Sequence, residues 1–331
     1  MHLALPAYVA IHHHWPFDVH GFLWAVMPQT VDWCYTVAYS LGGEYAARLL
    51  NFVNLAAALG TFWSLTERCS SRAAALLACA LFAAGPMAQV TTGSLFIENA
   101  LAALLIAAAG AFWLYAETGI AALWAGAWLL FGCALSAKAG ALAFLPAVIA
   151  LAAYGHWKHP GRPWLRTAWA AGGIAIGAYI YLLAYVKTGN PFFPTANEVF
   201  HSKLIPPERL AEQFRHPLNW RSLADLTFHS SEFIEGTDGA AGFQYFLLLP
   251  AALVALALRR RPAIAWLTMV GLSAGLAAYL QIAYLRYLYP SLLLLMAPIA
   301  LWFDEGRQGA RWERWLSYVA VSVAFAANIL F

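Results

Sequence analysis

The chain has 331 residues, 62% of them hydrophobic and 11% charged, with a mean hydropathy of +0.64. Nineteen lysines and arginines against sixteen acids leave a formal net charge of +3, too little for a nucleic-acid partner. A soluble domain carries about 25% charged residues, so a soluble enzyme is excluded and an all-α, polytopic membrane helix bundle is indicated.

Residues 1–44 read as an amphipathic external segment, with His2, Pro6, His12, His13, His14, Pro16, Asp18 and Pro28 among apolar positions. A signal peptide is not evident, because no basic region precedes an apolar core. Three adjacent histidines on a helix point in different directions and cannot share one ion. No metal is demanded by any spacing in the chain. The cysteines (Cys34, Cys69, Cys79, Cys133) form neither a disulfide framework nor a zinc motif.

Ten apolar runs follow, at 45–66, 73–91, 94–116, 119–136, 139–156, 167–187, 242–258, 262–280, 284–303 and 315–331. A membrane-spanning helix needs about 20 such residues, so about ten transmembrane helices are predicted. The stretch 119–154 is too long for one crossing and must turn back, and its one charge, Lys138, marks the turn. The segment 188–241 combines Asn-Pro, Pro-Pro and Gly-rich pieces and reads as a folded external loop. It divides an N-terminal membrane region, 45–187, from C-terminal spans, 242–331.

Basic residues alternate between the connections. Arg68, Arg72, Lys158, Arg162, Arg166, Arg259, Arg260, Arg261, Arg307, Arg311 and Arg314 fall on one side. Arg48, Lys138, Lys187, Lys203, Arg209, Arg215, Arg221 and Arg286 fall on the other, where the long loop also carries seven acids. The first set is expected to be cytoplasmic and the long loop external. Charge inside a span is costly and marks functional candidates. Glu98, Lys138 and Arg286 are therefore expected to converge beneath the loop. Lys138 also reads as a snorkelling turn residue, Arg286 as an interfacial anchor between Tyr284 and Tyr287, and Glu44 with Arg48 as a structural pair at a helix start.

The segments HLALPAYVA (2–10), LGGEYAARLLNF (41–52), GSLFIENALAALL (93–105), LSAKAGALAFLPA (135–147), TGNPFFPTANEVFHSK (188–203), GAAGFQYFLLLP (239–250) and LRYLYPSLLLL (285–295) occur in an order resembling a known family. They are similar to the polyprenyl-phosphate-dependent GT-C glycosyltransferases, in the bacterial branch related to protein O-mannosyltransferases and the lipid A aminoarabinose transferase. The resemblance implies sugar transfer at the outer face of a bacterial inner membrane. The donor would be a sugar on a polyprenyl phosphate, with no further cofactor, and the acceptor a lipid, glycan or protein. Glu98 would orient or deprotonate the acceptor, while Lys138 and Arg286 would face the donor phosphate. His2, Arg48, Tyr284 and Asn190 are the supporting positions.

The family's first helix and the principal acid after it have no counterpart here, since the resemblance starts at His2 inside the first outer loop. An upstream segment of about 20 apolar residues followed by an Asp or Glu close to the present start is the corresponding expectation. The 331-residue form is expected to bind a lipid donor weakly or not at all and to transfer no sugar. A lipid-linked sugar transporter and a non-catalytic membrane subunit are the competing readings, although no internal repeat supports transport.

Overall fold

The computed structural model describes residues 3–18, 22–161, 163–205, 214–234, 238–259 and 261–330. Among them every regular element is helical: α1 (Ala4–His12), α2 (Thr30–Thr66), α3 (Arg72–Ala84), α4 (Pro86–Gly93), α5 (Glu98–Thr118), α6 (Ala121–Ala137), α7 (Leu145–Lys158), α8 (Pro163–Thr188), α9 (Asn197–Phe200), α10 (Ser222–Phe228), α11 (Gln244–Leu247), α12 (Leu249–Arg259), α13 (Pro262–Gln281), α14 (Leu285–Leu294), α15 (Met296–Gln308) and α16 (Arg311–Leu330). The protein is an all-α polytopic membrane protein.

Six of the described helices are long and apolar enough to cross a membrane, or seven if the bent pair α3–α4 counts as one span. The sequence predicts ten spans from its apolar runs, and the shorter apolar helices Ala121–Ala137 and Leu249–Arg259 account for two of the others. Three runs yield less than a full apolar span. Run 119–136 becomes α6, of 17 residues, and run 242–258 is divided into α11 and α12. Run 315–331 belongs to α16, whose first turn carries Arg311, Glu313 and Arg314. The run 73–91 bends by 64° at Gly85–Pro86, because a proline disfavours helical backbone at the residue before it.

Helix α2 extends the first apolar run back to Thr30. At 37 residues it would measure about 55 Å if straight. It is kinked at Gly42 and Gly43, where Gly43 has φ 66° and ψ −157°, a conformation essentially confined to glycine. The kink leaves residues 44–66 as a separate segment of spanning length.

The helices form two compact units, one made of the described residues within Met1–Ala56 and Leu95–Glu212, the other of those within Ala57–Ser94 and Gln213–Phe331. These interleaved units group the chain differently from the consecutive segments 1–44, 45–187, 188–241 and 242–331. In the first unit α6 lies against α5 and α8. Its contact with α8 is backbone to backbone: a Cβ on Gly132 would fall 2.0 Å from the Gly173 carbonyl oxygen, and one on Gly177 would meet Leu135 Cβ at 2.7 Å. Glycines four apart allow this approach, as in other small-residue membrane interfaces. Tyr181 Oη closes the same seam by donating to the Leu135 carbonyl at 3.0 Å. Beyond it, Phe112 meets Trp124 and Trp128 edge-on at 5.7 and 5.3 Å.

In the second unit α15 is almost wholly buried and packs on α3, α12 and α16. Polar side chains there satisfy helix ends. Asp304 accepts from the Ser71 amide at 3.1 Å, before α3. Asn328 accepts from the Phe243 amide at 2.9 Å and donates to Gln244 Oε1 at 2.8 Å.

Candidate functional site

Glu98 is the first residue of α5 and is fully buried. The segment before it is anchored by Leu95 and Ile97, which pack with Val31, Tyr35, Ala47 and Ala137 in one apolar cluster. Lys138 follows the last residue of α6, where the backbone turns extended (φ −159°, ψ 137°) and a 3-10 turn, Ala139–Phe144, begins. The expected turn at this charge is therefore a helix break. The Lys138 ammonium lies 2.5 Å from Glu98 Oε1, with 14% of the lysine side chain and none of the glutamate side chain exposed.

The pairing uses the helix termini. The amides opening α5 favour a carboxylate, and the carbonyls closing α6 favour a cation. Next to it runs a line of uncharged polar groups. Tyr35 Oη donates to Asn51 Oδ1 at 3.0 Å, and Asn99 Nδ2 donates to the same oxygen at 3.1 Å. Tyr35 Oη also stands 3.2 Å from the Phe96 carbonyl oxygen. Thr30 Oγ1 donates to Ser136 Oγ at 2.9 Å, tying the start of α2 to the last turn of α6.

Sequence reasoning passes over Tyr35, Asn51 and Asn99, because an uncharged polar residue in an apolar run carries little signal. It also passes over Asp32, buried one helical turn before Tyr35. The signal for Asp32 was a carboxylate enclosed by Val31, Trp33, Cys34 and Tyr35.

Among the remaining sequence candidates of this unit, Arg48 bonds Glu44 one turn away, Nε to Oε1 at 2.7 Å, with both side chains nearly half exposed. Asn190 is buried, and both ends of its amide serve the adjoining turn. It accepts from the Phe192 amide and donates to the Thr195 carbonyl, each at 2.8 Å. His2 lies outside the described residues. His14 Nε2 is 3.2 Å from Tyr8 Oη, and His13 terminates α1 in left-handed conformation. Among the described residues no three His, Cys, Asp or Glu side chains are placed to hold one metal ion.

Arg286 and Tyr284 belong to the second unit. The chain between α13 and α14 is extended and pinned by loop carbonyls: Ala283 N–H to Phe214 at 2.8 Å and Leu285 N–H to Phe233 at 2.8 Å. Phe214 stacks on Tyr284 with ring centroids 4.2 Å apart. The Arg286 guanidinium lies 4.6 Å from the Tyr284 ring centroid, a cation–π geometry. The loop thereby fixes the first turn of α14 and the cation on it.

No protein-family model matches the chain, and no curated protein matches its sequence. Among solved structures it is similar to ArnT from Cupriavidus metallidurans bound to undecaprenyl phosphate, with TM-score 0.63 and 16% identity over 97% of this chain. It is also similar to the same protein in the apo state, with TM-score 0.62 and 18% identity over 98% of this chain. In both comparisons the chain spans 57% of the length of the ArnT chain. At this identity the likeness is one of fold: the chain shares the membrane fold of the matched part of ArnT.

Proposed function

We propose that this chain takes part in sugar transfer from a polyprenyl-phosphate donor to a hydroxyl of a lipid, glycan or protein. The reaction would occur at the outer face of a bacterial inner membrane. The observation that carries the reading is the buried Glu98–Lys138 pair at a helix break, within a fold shared with a protein whose crystal structure contains undecaprenyl phosphate. A lipid donor brings a phosphate to the edge of an apolar bundle, where cations and helix ends are the groups that hold it.

In the proposed step the acceptor oxygen bonds to the sugar C1, the C1–O bond to phosphate breaks, and polyprenyl phosphate leaves with the electron pair. The acceptor proton passes to a carboxylate or to solvent. Glu98, with one oxygen bonded to Lys138, would orient the acceptor hydroxyl or take its proton. Lys138 offers further N–H donors to a phosphate, and Arg286 a second, planar cation. His2, Arg48, Asn190 and Tyr284 would support the site, the last two by holding the loop turn and the Arg286 turn.

The test is binding followed by transfer. Purified protein in lipid nanodiscs is expected to bind undecaprenyl phosphate saturably, and Lys138→Met and Arg286→Gln are expected to weaken that binding by about tenfold or more. Folded wild-type protein without saturable binding would sink the proposal. Isotopically labelled sugar on the same carrier then separates transfer, which yields covalent product, from transport, which only moves the label. Binding with neither outcome identifies a non-catalytic subunit.

A further inference from the structure

We propose that the end of α5 opposite Glu98 carries a second ligand site, for the phosphate-bearing headgroup of an anionic membrane lipid. A cavity of about 290 Å³ opens there, lined by Tyr115, Trp124, Leu165, Arg166 and Trp169, with Ala121 and Gly119 at its edge. All these residues belong to one compact unit. Tyr115 follows Glu98 by seventeen positions on α5, which places it about 25 Å further along the axis. The cavity is thus separate from the Glu98–Lys138 pair.

Its electrostatics select an anion. Arg166 Nη1 lies 3.0 Å from His156 Nδ1, and its guanidinium stands 5.5 Å from the Tyr115 ring centroid. No carboxylate among the described residues pairs with Arg166; the acid at this end, Glu117, lies 3.7 Å from Lys158. The Trp124 indole donates to the Arg166 backbone carbonyl at 3.2 Å, so the turn that carries the guanidinium is held at the cavity. The Tyr115 hydroxyl is buried and has no hydrogen-bond partner. Ala121 and Arg166 sit in the first turns of α6 and α8, and α6 has no side-chain cap at its start. Two positive helix ends therefore add to the arginine.

The surroundings select a lipid over a soluble phosphate. Trp157, Trp164 and Ile120 are exposed at the same end, at 75, 67 and 54%. Exposed tryptophans at the ends of apolar helices mark the headgroup level of a bilayer. A headgroup phosphate would meet Arg166, while the glycerol and first acyl carbons would lie along Trp124 and Trp169.

Native mass spectrometry of the whole chain, purified in mild detergent and mixed with phosphatidylglycerol or phosphatidylcholine, tests this. One phosphatidylglycerol should be retained selectively. Arg166→Gln should cut its retention about tenfold, and Arg314→Gln, an exposed change elsewhere, should leave it unchanged. Ala121→Trp, an exposed substitution that fills the cavity mouth without altering charge, should cut it likewise and keeps the test decisive if Arg166→Gln does not fold. Excess glycerol 3-phosphate should not displace the lipid. Equal retention by wild type and the Ala121→Trp variant, no preference for the anionic lipid, or displacement by glycerol 3-phosphate would each overturn the proposal.

Discussion

Glu98 and Lys138 are forty positions apart, and each was visible in the sequence as a charge in an apolar setting. Their pairing was not visible, because nothing local relates the start of one helix to the end of the next. The pair changes what a substitution reports. For a full-length active protein with the three charges clustered, the sequence predicts that Glu98→Gln lowers turnover more than stability. With Lys138 alongside, the same change removes the carboxylate charge that faces a largely buried ammonium. Breaking such a pair costs about 3–5 kcal/mol, whereas replacing both members by apolar groups is often neutral. Glu98→Gln and Lys138→Met are each expected to lower Tm, and the double variant to lie above the worse single one. Thermal unfolding in detergent gives all values. Tyr35→Phe should cost about 1–2 kcal/mol, since it withdraws a donor from the buried Asn51 amide.

Asp238 belongs to the long loop, in the second unit, and offers a pH-dependent readout. Its carboxylate accepts from the Ser231 amide at 3.0 Å and from the Ser231 hydroxyl at 2.8 Å. The amide bond chiefly, then the hydroxyl, holds the acid below its ordinary pKa of 3.8. The folded value is the lower one, so the stabilisation is complete above the unfolded pKa and fades as pH falls below about 4. Hydrogen exchange at the Ser231 amide, corrected for its intrinsic rate, should accelerate in acid. In Asp238→Asn that step should vanish.

At the scale of the helix, the sequence located the apolar runs and the Lys138 break, because hydropathy and an isolated charge are local signals. It did not separate runs from spans. The bend before Pro86 and the kink at Gly43 depend on backbone geometry that hydropathy ignores. Gly43→Ala tests the kink directly: a Cβ there meets nothing within 4 Å, so any loss must come from the backbone angle itself. The expected destabilisation is about 1–3 kcal/mol, read by the same thermal unfolding. Gly132→Ala should act differently, forcing α6 from α8 because its Cβ would collide with the Gly173 backbone. An unchanged Tm in Gly132→Ala would mean that the seam is looser than its geometry.

For the whole molecule, composition alone established a membrane protein, and the ordered segments pointed to the fold found in the ArnT comparison. The side of the membrane rests on the basic residues. In a cysteine-free background, His201→Cys should react with an impermeant maleimide in intact cells, and Arg314→Cys only after permeabilisation. The reverse pattern would invert the proposed orientation. Arg260, one of the residues behind that assignment, lies outside the described residues. The grouping into two interleaved units was not legible, because it depends on which distant helices share side chains.

The shortness of α6 has a further consequence. Seventeen residues extend about 25 Å, roughly 5 Å less than a hydrocarbon core of about 30 Å. A helix of that length, set flush with one interface, would stop before the other and put Lys138 and Glu98 below the plane of the headgroups. Under the proposed function a donor phosphate reaching them would have to sink, or the bilayer to thin around the protein. Acyl-chain length would then control the encounter, and the proposed donor binding should be tighter in thin membranes than in thick ones.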